Sequence, residues 1–172
     1  MEPYTQICFV VRDFEKGIAQ WTALGAGPFY AVDMSLLPPD RTYRGEIATD
    51  TFLVSRGFLG TTQIEITTPT NSAPSIYQEV LKDRGEGLHH VQPCIKPTTP
   101  EQFDTKCAEY EAMGFEQASA MVVPGIGRVV FYDSYKKLGY FIELTERTEE
   151  MHAASVAAYN AHLTWDGADP IR

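Results

Sequence analysis

The chain has 172 residues, 44% hydrophobic and 22% charged, which is ordinary for one domain or two small modules sharing a core. Its net charge of −9 argues against nucleic acid, which needs clustered Lys and Arg to displace counterions. No apolar run is long enough to span a membrane, and the start of the chain lacks the basic and apolar regions of a signal peptide.

Residues 4–11 are β-branched and aromatic and read as a strand. Asp13 is a fitting N-cap for the helix that follows, where Phe14, Ile18 and Trp21 recur at helical spacing. Gly25 to Pro28 end it, and a second strand is expected over 28–35. The two prolines of 37–41 exclude regular structure. Strands are expected over about 44–57 and 61–67, then a loop over 68–74. Ile76, Val80 and Leu81 mark a short helix that stops at Gly85. The plan then restarts, with a strand over 88–95. A helix opens at Thr99 with a cap, Pro100 at its first position and Gln102 at its third. Strands follow over about 115–123, 127–134 and 139–146. An alanine-rich helix over 149–162 and an irregular end over 164–172 complete the chain.

The order is therefore β-α-β-β-β, a linking helix, then β-α-β-β-β, a repeat of about 80 residues in pattern rather than identity. Module one covers about 4–70, the linking helix about 75–85, module two about 88–146, and the tail 147–172. The three cysteines, Cys8, Cys94 and Cys107, are odd in number and far apart, so a reduced, cytoplasmic setting is expected.

Neighbours in a strand point to opposite faces. That alternation puts Gln6, Glu65, His90 and Glu143 on one face of the first and last strands of each half, 59 and 53 residues apart. The same alternation sets Cys8, Gln92 and Cys94 beside the four and sends His89 to the opposite face, towards the helical layer. Singly, a Gln or Glu on a strand faces solvent, and a His pair is a capped or core pair. The matched placement across the repeat is what points to a metal. Two carboxylates flanked by Ile and Leu are costly to desolvate, and a divalent cation offsets them. An amide oxygen, an imidazole and two carboxylates suit a six-coordinate ion with positions left open.

Four stretches carry a family resemblance. They are Gln6-Ile-Cys-Phe-Val-Val-Arg-Asp-Phe-Glu-Lys16, Gly60-Thr-Thr-Gln-Ile-Glu-Ile-Thr-Thr-Pro69, Gly85-Glu-Gly-Leu-His-His-Val91 and Gly139-Tyr-Phe-Ile-Glu-Leu-Thr-Glu146. Together they resemble the vicinal oxygen chelate superfamily, closest in motif to its methylmalonyl-CoA epimerases and lactoylglutathione lyases. The resemblance covers about residues 4–146. Gln6 departs from the His of the epimerases and is similar to the Gln of some lactoylglutathione lyases. A single histidine weakens an extradiol dioxygenase reading.

The resemblance implies an α+β fold: tandem βαβββ modules forming an eight-stranded, incompletely closed mixed sheet with helices outside. It implies one divalent ion (Zn, Ni, Co, Mn or Mg) held by Gln6, Glu65, His90 and Glu143, and a homodimer. The implied reaction is isomerisation or epimerisation by proton transfer next to a carbonyl, with a metal-stabilised enolate. Glu143, or else Glu65, would be the base. The substrate is expected to be a partly apolar or aromatic carbonyl compound. It would touch Cys8, Gln92, Cys94 and Phe141, with Phe29, Tyr30, Tyr43 and Tyr132 at the rim and Arg44 or Arg128 for an anionic group. The alternatives are a lactoylglutathione lyase-type glyoxalase and a metal-free binding or drug-sequestering protein.

Overall fold

In β1 (Thr5–Val10) Gln6, Cys8 and Val10 are buried on one side, and Ile7 and Phe9 are half-buried on the other. The structure is a computed structural model and describes residues 5–36, 40–93, 96–125 and 127–172. Asp13 accepts from Lys16 N and starts α1 (Phe14–Thr22). Next come β2 (Tyr30–Asp33), a 3-10 turn (Met34–Leu36), β3 (Arg41–Tyr43), β4 (Glu46–Ile47), β5 (Phe52–Leu59) and β6 (Thr62–Pro69). The linking helix is α2 (Ile76–Asp83), capped by Ser75. The second half has β7 (Gly87–Gln92), α3 (Pro100–Ala112), β8 (Gln117–Val123), β9 (Gly127–Tyr132), the short α4 (Tyr135–Leu138) and β10 (Phe141–Thr145). The capping box expected at Thr99 and Gln102 is formed. Helix α5 (Glu149–Leu163) follows, capped by Thr148.

All strands join one mixed, open sheet in the order β2-β5-β6-β1-β7-β10-β9-β8-β3-β4. β1 and β7 pair antiparallel at the centre. Each has a parallel partner from the end of its own half, β6 or β10. Among the described residues the sheet has ten strands instead of eight because β3 and β4 form an extra hairpin. Its turn residues Arg44 and Gly45 both have positive φ, 48° and 85°, as a two-residue hairpin turn requires. That turn interrupts the strand expected over 44–57, and β5 begins only at Phe52. β3 pairs with β8 of the other half. Only residues 34–40 separate β2 from β3. A flat sheet would hold those strands ~38 Å apart at ~4.8 Å per strand, whereas the connection reaches at most ~28 Å. The sheet must therefore curl into a trough.

Helix α1 covers the outer face of β1 and β6 through Ile18, Val11, Ile64 and Ile66. Helix α3 covers the other wing through Phe103, Val130 and Ile142. The trough itself is filled towards α2 by Val10, Phe52, Val54, Phe131 and Phe141, packed with Tyr77 and Val80. Helix α5 sits against the trough at β5, where Tyr159 meets Phe58 edge-on at 5.4 Å. His162 fixes its far end: the ring's Nδ1–H donates to Gly27 O at 2.7 Å, and Nε2 accepts from Gly60 N at 3.2 Å. The chain end, expected to be irregular, docks on the free edge of β2. Phe29 N donates to Pro170 O, and Ala31 N to Arg172 O. Among the described residues no helix is long and apolar enough to cross a membrane.

Candidate functional site

Strand register fixes what lies together in the trough. Tyr30 pairs with Arg56, Arg56 with Glu65, Glu65 with Cys8, Cys8 with His90, and His90 with Phe141. Residues in one cross-strand row share a face, so these six cross the trough side by side. Glu143 is two residues beyond Phe141 on the same face of β10. The next row towards α5 holds Phe58, Gln63, Gln6 and Gln92.

Glu65, His90 and Glu143 are all buried, and one ligand atom from each lies within 4.8 Å of the other two. His90 Nε2 is 2.8 Å from Glu143 Oε2 and 3.4 Å from Glu65 Oε1. The Gln6 amide stands between them, with Nε2 3.3 Å from Glu65 Oε2, 3.4 Å from Glu143 Oε2 and 3.5 Å from His90 Nε2. Turning the amide over presents Oε1 at the same place, since the two ends differ little in shape. Thr145 Oγ1 donates to Glu143 Oε1 at 2.7 Å. Beside the carboxylates is a cavity of about 30 Å³, room for an ion-sized or water-sized guest. Its other walls are mostly apolar, among them Phe52, Val54, Tyr77, Val129 and Phe131. This donor set of oxygens and one imidazole nitrogen fits a divalent cation.

Arg56 was not among the residues singled out from sequence. Its Nε donates to Glu65 Oε2 at 2.7 Å, leaving Oε1 towards His90. The signal was available, because Phe52, Val54, Arg56 and Phe58 alternate on one face of β5, and a charged residue in that series has to find a partner. Burial would raise the Glu65 carboxyl, but Arg56 and His90 outweigh it and hold the group well below its ordinary range. Burial likewise opposes charge on His90, yet Cys8, Glu143 and Glu65 together raise it well above its usual value. The Cys8 thiol is itself pushed up to about 11, mainly by burial. It is therefore uncharged near neutral pH, and the two carboxylates carry the effect on His90.

His89 does not point to the helical layer. The pairing moves from Cys8 with His90 to Phe9 with Leu88, so β7 carries one extra residue there, a β-bulge. The bulge turns both histidines inward. His89 stacks on Tyr77 at 4.5 Å, and its Nδ1 lies 2.8 Å from Nδ1 of His90. Burial, then the neighbouring His90 charge, drive His89 well below its usual value and keep it neutral.

The remaining expected residues divide. Cys8, Gln92 and Phe141 are buried on the trough face, in the two rows just described. Cys94 lies outside the described residues. Tyr132 is on the opposite face of β9, packed with Phe103 and hydrogen-bonded to Cys107 O and Glu111, so it is a residue of the α3 layer. Phe29 likewise belongs to the α1 layer. Tyr43 donates to Glu79 at 2.5 Å, and Arg44 bridges Glu79 and Asp133. Neither lines the cavity beside the carboxylates. Arg128 pairs with Glu146 and Asp104 on the outer side. Tyr30 is at the trough's margin beside Arg56. Trp165, in the last stretch of the chain, packs on Gly27, where an added Cβ would come within 2.6 Å of its ring.

Residues 5–132 match the family model described as the glyoxalase/bleomycin resistance protein/dioxygenase superfamily. The chain belongs to that superfamily. Solved structures of similar fold include methylmalonyl-CoA epimerase from Mycobacterium tuberculosis, 18% identical, with a TM-score of 0.55, covering 86% of this chain and 89% of that one. A hypothetical protein from Bacillus halodurans C-125 is 14% identical, with a TM-score of 0.55 over 85% and 94%. A Streptomyces coelicolor methylmalonyl-CoA epimerase variant in complex with 2-nitronate-propionyl-CoA is 16% identical, with a TM-score of 0.54 over 84% and 96%. At these identities the likeness is one of fold. No curated protein matches the sequence.

Proposed function

We propose that this member of the superfamily is a divalent-metal-dependent isomerase or epimerase that moves a proton on the carbon next to a carbonyl. The observation that carries the reading is the buried convergence of Glu65, His90 and Glu143, drawn from both halves, with the two carboxylates lining an ion-sized cavity. Gln6, Glu65, His90 and Glu143 would hold the ion. When bound, the ion supplies Lewis acidity towards the substrate's carbonyl oxygen.

The rest falls to side chains of the chain. Glu65 is tied to Arg56 and held ionised, so it is a weak base and suits a fixed role in charge balance. Among the described residues Glu143 has the neutral Thr145 hydroxyl, His90 and the Gln6 amide as partners, and is the group we assign to accept and return the proton. The apolar walls of Phe52, Val54, Val129 and Phe131 exclude water from the reacting carbon.

One observation favours a second reading. Arg56 and a protonated His90 already match the charges of Glu65 and Glu143, as a metal-free binding protein would need. The two readings part in one experiment. The protein, loaded in turn with Co, Mn, Ni, Zn or Mg, is incubated in D₂O with a panel of thioesters, 2-oxo acids and ketones. The isomerase reading expects metal-dependent deuterium at the carbon next to the carbonyl, falling ~100-fold or more in Glu143→Gln. Absence of exchange, together with no stabilisation by any of the five ions, rejects it in favour of the binding protein.

A further inference from the structure

The cavity at the carboxylates is far too small for a substrate, yet a much larger space lies next to it. A groove of about 600 Å³ runs between α5 and the wing formed by β2 and β5. Arg56 and Met151 line both spaces and form the partition between them. One side of the groove is the alanine face of α5, with Ala154, Ala157 and Ala158; the other holds Tyr30 and Val32, both exposed. Among the described residues Arg56 makes one hydrogen bond, from Nε to Glu65, and its side chain is 29% exposed, so both Nη groups are available for a guest. It is the one cation lining the groove among the described residues. Glu150, in the first turn of α5, is its acidic member and disfavours an anion at that end. A second observation is independent of charge. Gln63 lines the same groove, is only 2% exposed, and its buried Oε1 has no hydrogen-bond partner among the described residues. Buried amides are rarely left so, and turning the amide over would offer its N–H instead.

We propose that this groove is the subsite for the non-reacting part of the substrate, which is an organic anion with an extended apolar body. Its anionic group pairs with the Nη groups of Arg56 and with the Gln63 amide, and its chain lies along α5 between Tyr30 and Val32. A guanidinium with its Nε–H on Glu65 and both Nη groups free matches a carboxylate in geometry as well as charge. The carbonyl end then reaches Glu143 past Met151. The assignment rests on the carboxylate cluster being the reacting site, but its test does not need turnover.

The probes are 2-oxooctanoate, pyruvate and 2-octanone, titrated calorimetrically into the purified full chain. The expected result is 2-oxooctanoate binding ~10-fold or more tighter than pyruvate, which lacks the chain, and than 2-octanone, which lacks the charge. Ala157→Trp, which fills the groove from an exposed helix position, should remove the chain-length preference and leave pyruvate within about twofold. Arg56→Gln should bring 2-oxooctanoate down to 2-octanone. If that variant does not fold, Gln63→Leu takes its place, with a loss of ~3-fold or more for the anion only. Equal binding of the three probes, no binding, or an intact preference in Ala157→Trp overturns the subsite. A preserved preference with neither deuterium exchange nor stabilisation by any of the five ions would instead leave the subsite standing and reject the isomerase reading.

Discussion

Arg56 holds Nε 2.7 Å from Oε2 of Glu65, and this pair lies at the junction of the carboxylate cavity and the α5 groove. Glu65 is buried while Arg56 is partly exposed, so the pair is neither a surface bridge nor a fully buried one. Removing the cation strands a buried carboxylate, and the partial exposure of Arg56 tempers the cost. Arg56→Met is expected to lose about 1–3 kcal/mol in urea unfolding with chelator present. Saturating Mn should recover more stability in the variant than in the parent, because the ion then supplies the missing charge. Equal stabilities in chelator would mean that the pair contributes nothing to the fold.

The contact between the two histidines predicts an effect on metal affinity without an effect on the fold. For His90 to offer Nε2 to an ion, its Nδ1 must carry the proton and donate to Nδ1 of His89 at 2.8 Å. His89, kept neutral by burial, is the acceptor. Such outer partners fix the tautomer and ring angle of a metal-binding histidine and are worth ~10–100-fold in affinity. His89→Phe preserves the stacking on Tyr77. It should keep the thermal midpoint close to that of the parent while Co binds ~10-fold or more weakly. Unchanged Co affinity would make His89 a packing residue only.

Acidity should act on the same centre with a definite sign. In the metal-free protein His90 is raised above its ordinary value of 6.5 by its carboxylate neighbours. The stabilisation it gains is full below 6.5 and fades as pH rises through the raised value. His89 runs the other way: its value is lowered, so its contribution is present above 6.5 and is lost as pH falls. An ion must displace the His90 proton, so its apparent affinity should rise with pH, by about tenfold per unit while His90 stays protonated. Calorimetry with Co in two buffers of different ionisation heat would count that proton. Affinity that is flat between pH 6 and 8 would place the ion away from His90.

Strand parity made much of the site legible. β1, β6 and β10 alternate without interruption, so counting by twos from Gln6, Glu65 and Glu143 leads to one face. The same counting failed at β7, because a bulge leaves no mark in Leu88-His89-His90, and the extra residue reverses parity only for His89. It failed at Tyr132 for another reason. Val129 and Phe131 are as apolar as Val130 and Tyr132, so β9 gives no sign of which face looks inward. The β3–β4 hairpin was missed because its turn has Arg44 at the first position, where Asn or Asp is the usual signal. Its pairing with β8 spans the two halves, which no local pattern encodes. Arg56 was hidden by drawing one strand over 44–57, which blurred where the alternation begins.

Met151 is the last wall between the cavity and the groove. It is half-buried and unbranched, and its thioether can change rotamer at little cost. A guest too large for about 30 Å³ has to move it or Arg56, and Arg56 is anchored to Glu65. Met151 is thus the mobile half of the partition, and access to the ion should depend on its bulk. Met151→Ala joins the two spaces and should let EDTA strip bound Co ~10-fold faster with little change in affinity. Met151→Phe should slow the same exchange. Stability should fall by about 1–2 kcal/mol in Met151→Ala, less than for a fully buried Met because part of the residue already meets solvent. The release rate is followed by the visible absorption of Co. Equal rates in the parent and both variants would show that access to the cluster runs by another path, leaving the groove and the cavity unconnected.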